Sequence, residues 1–145
     1  MKYVKRSATG AWDLTDYERY LENEKRQLSD VVGGDNLLDI SRFSGGEFRG
    51  SLHDSRFRGF AVEVDEHQGG VVVEIRLEGP FFDRDFILRY QSARTATSNM
   101  PAPDRDLLMH EVLRHDEGVL HEILFDGGHV VTVVSSSMTF RELTR

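Results

Sequence analysis

His110-Glu111 and His121-Glu122 are the residues whose types and spacing are best suited to chemistry. They lie on two apolar stretches separated by the polar segment His115-Asp116-Glu117-Gly118. If those four residues close a hairpin, Arg114 faces Val119, Val112 faces His121 and Glu111 faces Glu122. His110 and His121 then share one face at diagonal positions, within reach of each other. Two imidazoles and a carboxylate form a donor set for a divalent transition metal. His53, Asp54 or His115 would add a further ligand. The spacing is not that of a helical His-Glu-x-x-His site. A three-residue loop with a bulge would break the parity and part the histidines. The plainer reading is cross-strand pairing, with amphipathic histidines and solvated carboxylates. Glu111 and Glu122, as direct neighbours, form a general acid and base only if a pocket desolvates them.

The remaining motifs carry less chemistry. Leu52-His53-Asp54-Ser55 puts three triad residue types side by side, but neighbours on an extended chain point to alternate faces. A turn role for Asp54 and Ser55 is the simpler reading. Arg42-Phe43, Phe48-Arg49-Gly50 and Arg56-Phe57-Arg58-Gly59-Phe60 interleave arginine with phenylalanine. Such faces can stack single-stranded bases, though they are also what a strand shows with Phe inward and Arg outward. The glycine pairs at 33–34, 45–46, 69–70 and 127–128 are turn signals and make no phosphate loop. No catalytic residue is assigned from sequence.

The elements that must position these residues are legible from periodicity. Thr15-Asp16-Tyr17-Glu18 matches a capping box, and Tyr17, Tyr20, Leu21, Leu28 and Val32 recur at helical spacing. The pattern predicts a helix over about 15–32, stopped by Gly33-Gly34. From residue 37 the period is two. Strands are predicted at Leu37–Phe43, Glu47–Leu52, around Phe60–Val64 and Val71–Leu77, and then with Phe82, Phe86, Leu88 and Tyr90 on one parity. Ser44-Gly45-Gly46 is read as a turn. Residues 91–104 read as a long loop, of the kind that is either functional or mobile. Leu107–Leu113, Val119–Phe125, His129–Val134 and Met138–Leu143 follow, joined by short turns that make hairpins. The fold class expected is α+β in a single domain over 1–145. An N-terminal helix packs on a mainly antiparallel, strongly curved meander of about eight strands, as a sandwich or a partly open barrel.

Bulk properties bound the function. At 145 residues, with 39% hydrophobic and 30% charged residues, the chain can bury one ordinary core. It has no cysteine, which excludes disulfides, thiolate metal sites and a cysteine nucleophile. Met1-Lys2-Tyr3-Val4-Lys5-Arg6 is followed by no apolar stretch of signal-peptide type, and no run approaches the roughly 18 apolar residues of a membrane span. A cytoplasmic location is expected. The net charge of −7 disfavours nucleic acid and suits a basic protein partner through steering.

Leu52-His53-Asp54-Ser55, Leu108-Met109-His110-Glu111-Val112 and His121-Glu122-Ile123-Leu124-Phe125 together resemble a group of small bacterial proteins, mostly uncharacterised. Some of these are immunity proteins of polymorphic toxin systems. The resemblance spans about the last two thirds of the chain. It implies a noncatalytic α+β protein that binds and neutralises a partner, and supplies no catalytic residues. Two alternatives stand beside it. One is a metal-binding protein or metal-dependent enzyme built on His110, His121, Glu111 and Glu122. The other is a small-ligand carrier lined by residues such as Phe60, Val71, Val73, Ile75, Phe86, Leu88 and Tyr90.

Overall fold

The structure is a computed structural model and describes residues 1–44, 48–95 and 100–145. The chain opens with a small hairpin of β1 (Lys5–Arg6) and β2 (Trp12–Asp13), which leads directly into helix α1 (Thr15–Ser29). Tyr17, Leu21 and Leu28 make its buried stripe. The capping box expected from Thr15 and Glu18 does not form. Leu14 occupies the cap position without a side-chain bond, and Thr15 is already helical. The Asp13 carboxylate, one residue earlier, takes the free Thr15 N–H at 2.9 Å. Asp13 therefore takes the backbone N–H of Thr15 that the motif assigns to the Glu18 side chain.

The helix also ends earlier than the expected 15–32. Val31 and Val32 are β-branched and favour extended backbone. Val32–Gly34 becomes β3, a short strand paired parallel with the last strand of the chain. Gly34 has φ +93°, and a Cβ there would lie 2.0 Å from the Phe140 carbonyl oxygen. The glycine thus serves close strand approach as well as turning.

Residues 37–43 are not a strand. Asp39 accepts hydrogen bonds from the Ser41 N–H at 2.9 Å and from its hydroxyl at 2.6 Å. This local bonding competes with a ladder and closes a 3-10 turn at Ile40–Arg42. Nor do residues 48–52 form the expected strand; Ser51 N–H donates to Phe48 C=O in a turn. Gly45, Gly46 and Glu47, which carried the predicted turn and strand start, lie outside the described residues.

The larger sheet holds β4 (Arg56–Val64), β5 (Val71–Glu78), β6 (Arg84–Gln91) and β11 (Ser137–Thr144), in the order β3-β11-β6-β5-β4. The second holds β7 (Arg94–Thr95), β8 (Leu107–His115), β9 (Gly118–Phe125) and β10 (His129–Ser135), in the order β7-β10-β9-β8. All pairings except β3 with β11 are antiparallel. The fold is thus α+β with antiparallel and mixed sheets, and among the described residues no sheet closes on itself. The expected 91–104 loop contributes the short β7; residues 96–99 lie outside the description. Phe82 does not share the strand of Phe86, Leu88 and Tyr90. It sits in the β5–β6 turn at φ +59°.

Inner faces of the two sheets meet through side chains. Phe57 of β4 packs edge-on against Phe125 of β9 at 5.6 Å, and Tyr90 of β6 reaches His121 of β9. A single apolar cluster runs from Tyr17 and Leu28 of the helix through both sheets. Among the described residues, no helix is long and apolar enough to cross a membrane.

Candidate functional site

The β8–β9 hairpin has the register that parity demands. Glu111 pairs with Glu122, Val112 with His121 and Arg114 with Val119. His110 and His121 therefore point inward together, and both are fully buried. Nδ1 of His110 and Nε2 of His121 lie 3.0 Å apart. On the far side, His121 Nδ1 lies 2.7 Å from the Tyr90 hydroxyl. On the near side, His110 Nε2 lies 3.3 Å from the Arg42 carbonyl oxygen.

That carbonyl fixes every proton in the row. A carbonyl can only accept, so His110 carries its proton on Nε2 and offers a bare Nδ1. His121 must then donate from Nε2, which leaves its Nδ1 to accept from the Tyr90 O–H. Both imidazoles are neutral and fully hydrogen-bonded. Burial lowers the pKa of His110 to about 3. Burial drives His121 well down too, helped by its neighbour His110. Phe43 supports the row by stacking on His110 at 4.0 Å, and Tyr17 meets Phe43 edge-on at 4.9 Å.

The two carboxylates face the other way, as alternation along a strand requires. Glu111 accepts from the backbone N–H groups of Lys2, Tyr3 and Val4 at 2.9, 2.8 and 2.7 Å. Glu122 receives the amino group of Met1 at 2.8 Å, and this contact raises the pKa of that amine. The four candidate metal ligands are thus divided, with the imidazole pair on one face of the hairpin and the carboxylate pair on the other, where Glu111 is buried under residues 2–4. His53 donates from Nδ1 to the Leu108 carbonyl at 2.5 Å, and His115 sits at the hairpin end beside Asp116. No three His, Cys, Asp or Glu residues among those described converge on a metal position.

Ser55 bonds back to the Leu52 carbonyl at 2.5 Å, so its hydroxyl is engaged locally. Asp54 occupies a turn at φ +63°. The 52–55 run therefore assembles no relay.

Sequence reading missed two groups. Tyr17 and Tyr20 treat the outer edge of β8 as a strand would. The Tyr17 hydroxyl donates to the Val112 carbonyl at 2.9 Å and accepts from its N–H at 2.7 Å. Tyr20 accepts from the Arg114 N–H at 2.7 Å. Their helical spacing was visible, but the hydroxyl targets were not. The second group is an exposed aromatic patch of Phe48, Phe81 and Phe82. Arg42 lies over Phe48 at 5.6 Å, Arg49 over Phe81 at 4.6 Å and Arg56 over Phe82 at 4.3 Å. Arg49 also joins the two loops by pairing with Asp83 at 3.3 Å. The Arg–Phe interleaving was the available signal for this patch.

Comparison with protein-family models, curated proteins and solved structures finds no significant match to this chain.

Proposed function

We propose that this chain is a noncatalytic protein-binding module of the kind that neutralises a partner, built as a sandwich of its two larger sheets. The observation that carries the reading is Phe82. It is half exposed and held in the left-handed region at the β5–β6 turn, a conformation that costs a bulky residue about 1–2 kcal/mol. A turn chosen for stability alone would carry glycine or asparagine there. Strain of this kind gathers at functional sites. Phe81 and Phe48 stand exposed beside it, with arginine over each ring, and aromatic and arginine residues dominate binding hot spots. The chemistry-bearing His110, His121, Glu111 and Glu122 are occupied with internal bonds. The net charge of −7 favours a basic partner approached by electrostatic steering.

The test is a pull-down from the native host at low and moderate salt, with wild type and the Phe82→Asn variant. Asparagine suits the left-handed conformation, so the variant stays folded and melts at the same or a higher temperature. One stoichiometric partner retained by wild type and lost with Phe82→Asn would support the reading. Equal retention by both would remove its foundation. A metal-binding reading keeps one point in its favour, the 3.0 Å approach of two buried imidazole nitrogens.

A further inference from the structure

The edge of the larger sheet at β4 ends in a way that the rest of the fold leaves unresolved. At the mouth of the β4–β5 hairpin, Asp65 N–H donates to the Gly70 carbonyl. Backbone groups alternate along an antiparallel strand. Glu63 and Ala61 therefore bond to β5, and Phe60, Val62 and Val64 turn their N–H and C=O groups outward. Among the described residues nothing pairs with those groups. The same three residues stand opposite Ile75, Val73 and Val71, so their side chains are on the inner, apolar face. Val73 is buried, yet Val62 is 57% exposed and Val64 75%. Native sheets blunt such edges with lysine, proline, a bulge or a covering loop, and the bulge of β4, between Phe57 and Gly59, lies before the Phe60–Val64 stretch. This stretch carries neither lysine nor proline.

We propose that β4 is the dimer edge of this protein and that its occupant is β4 of a second copy, related by a two-fold axis through Val62. The register follows from the backbone. Outward groups must meet outward groups, and all three are used when Val62 faces Val62 and Phe60 faces Val64 of the other copy. Each residue then donates and accepts across the axis, and the exposed valines of the two copies cover each other. The charges agree with this pairing. Ala61 opposes Glu63 and Gly59 opposes Asp65, so no like charges face directly, and Arg58 at the bulge is already paired with Glu78 and Asp104 of its own chain. Glu63, which flanks the axis on the outer face, is paired with Arg89 of its own chain at 3.3 Å. The contact is isologous, and it closes at two copies. It rests on backbone direction and is independent of the aromatic patch.

The experiment uses the purified full chain. Sedimentation equilibrium from micromolar to millimolar protein is run for wild type, Val62→Pro and Val64→Lys, with circular dichroism and melting as folding controls. The chain has no cysteine, so Val62→Cys and Ala61→Cys variants can be compared under mild oxidation. Facing residues of a hydrogen-bonded pair lie about 5.5 Å apart at Cα, inside the range of a disulfide. The expected result is a wild-type dimer, a folded monomer for at least one of the two blocking variants, and cross-linking of Val62→Cys well above Ala61→Cys. Three results would overturn the proposal. One is a wild type that stays monomeric, including one that captures a foreign strand at this edge instead. Another is a dimer that survives both blocking variants in folded form. The third is equal cross-linking at positions 61 and 62.

Discussion

Acid should unfold this protein from its histidine pair before its carboxylates respond. His110 and His121 are neutral and buried, with pKa values below the ordinary 6.5, His110 at about 3. In the unfolded chain both titrate near 6.5. Between those values the unfolded state binds more protons than the native one, so stability falls as pH falls. The contribution is fully present above about pH 6.5 and drains away on descent toward the folded pKa values. A titrating group withdraws about 1.4 kcal/mol per pH unit, so at about pH 4.5 His110 alone has withdrawn roughly 3 kcal/mol, and His121 adds to the loss in the same direction. That is a large share of a typical domain's whole stability, about 5–15 kcal/mol. Glu74 and Glu78 have pKa values lowered chiefly by hydrogen bonds to Arg76 and Arg58 respectively. Their stabilisation starts to fade only near the unfolded carboxylate range of about 4, which leaves the interval above it to the histidines. The assay is urea denaturation at a series of pH values, with the slope in denaturant checked for constancy. His121→Gln retains an amide donor and acceptor but removes one titration, and it should reduce the pH dependence. Stability that is flat across this interval, or a slope untouched by His121→Gln, would refute the reasoning.

Tyr17→Phe should cost about 2–4 kcal/mol, because it strips both partners from the buried N–H and C=O of Val112; urea denaturation gives the loss, and the Val112 amide should exchange faster. Glu111→Gln keeps one strong acceptor oxygen where three N–H donors converge, so a loss of about 1–3 kcal/mol is expected, with faster proteolysis inside residues 1–10. Gly34→Ala must move the Phe140 carbonyl and adopt a positive φ, so it should destabilise by about 2 kcal/mol or more, read from the melting temperature. Zinc or nickel should leave the melting temperature of the tag-free protein unchanged. A rise that His110→Ala and His121→Ala abolish would favour the metal reading over the one proposed.

The last third of the fold was legible because short turns leave little freedom. His115-Asp116-Glu117-Gly118 forces the β8–β9 register, and parity then places both histidines on one face. The destinations of the partner groups were hidden. Nothing near Glu111 in sequence indicates that it will hold the N–H groups of residues 2–4, a contact set by tertiary packing. Local periodicity also misled between 30 and 55. Leu37–Phe43 alternates well enough for a strand, yet Asn36 takes a positive φ and Asp39 captures Ser41, so short-range side-chain bonding won over the pattern. Val32–Gly34 lost its helical role to a parallel pairing with residues more than a hundred positions away, which no window along the chain can register.

The row from Arg42 to Tyr90 also bears on how the molecule comes together. Its four members belong to the 3-10 turn, β8, β9 and β6, parts drawn from both sheets and from an irregular segment. The two outer hydrogen bonds, from His110 to Arg42 and between His121 and Tyr90, form only when the turn and β6 are in place, and each imidazole left half-bonded in the core would carry a desolvation penalty. Turn docking and sheet packing are thereby made a single event. The polar row acts as a coincidence detector within an apolar core, and partly assembled forms are disfavoured relative to both the native and the fully unfolded chain.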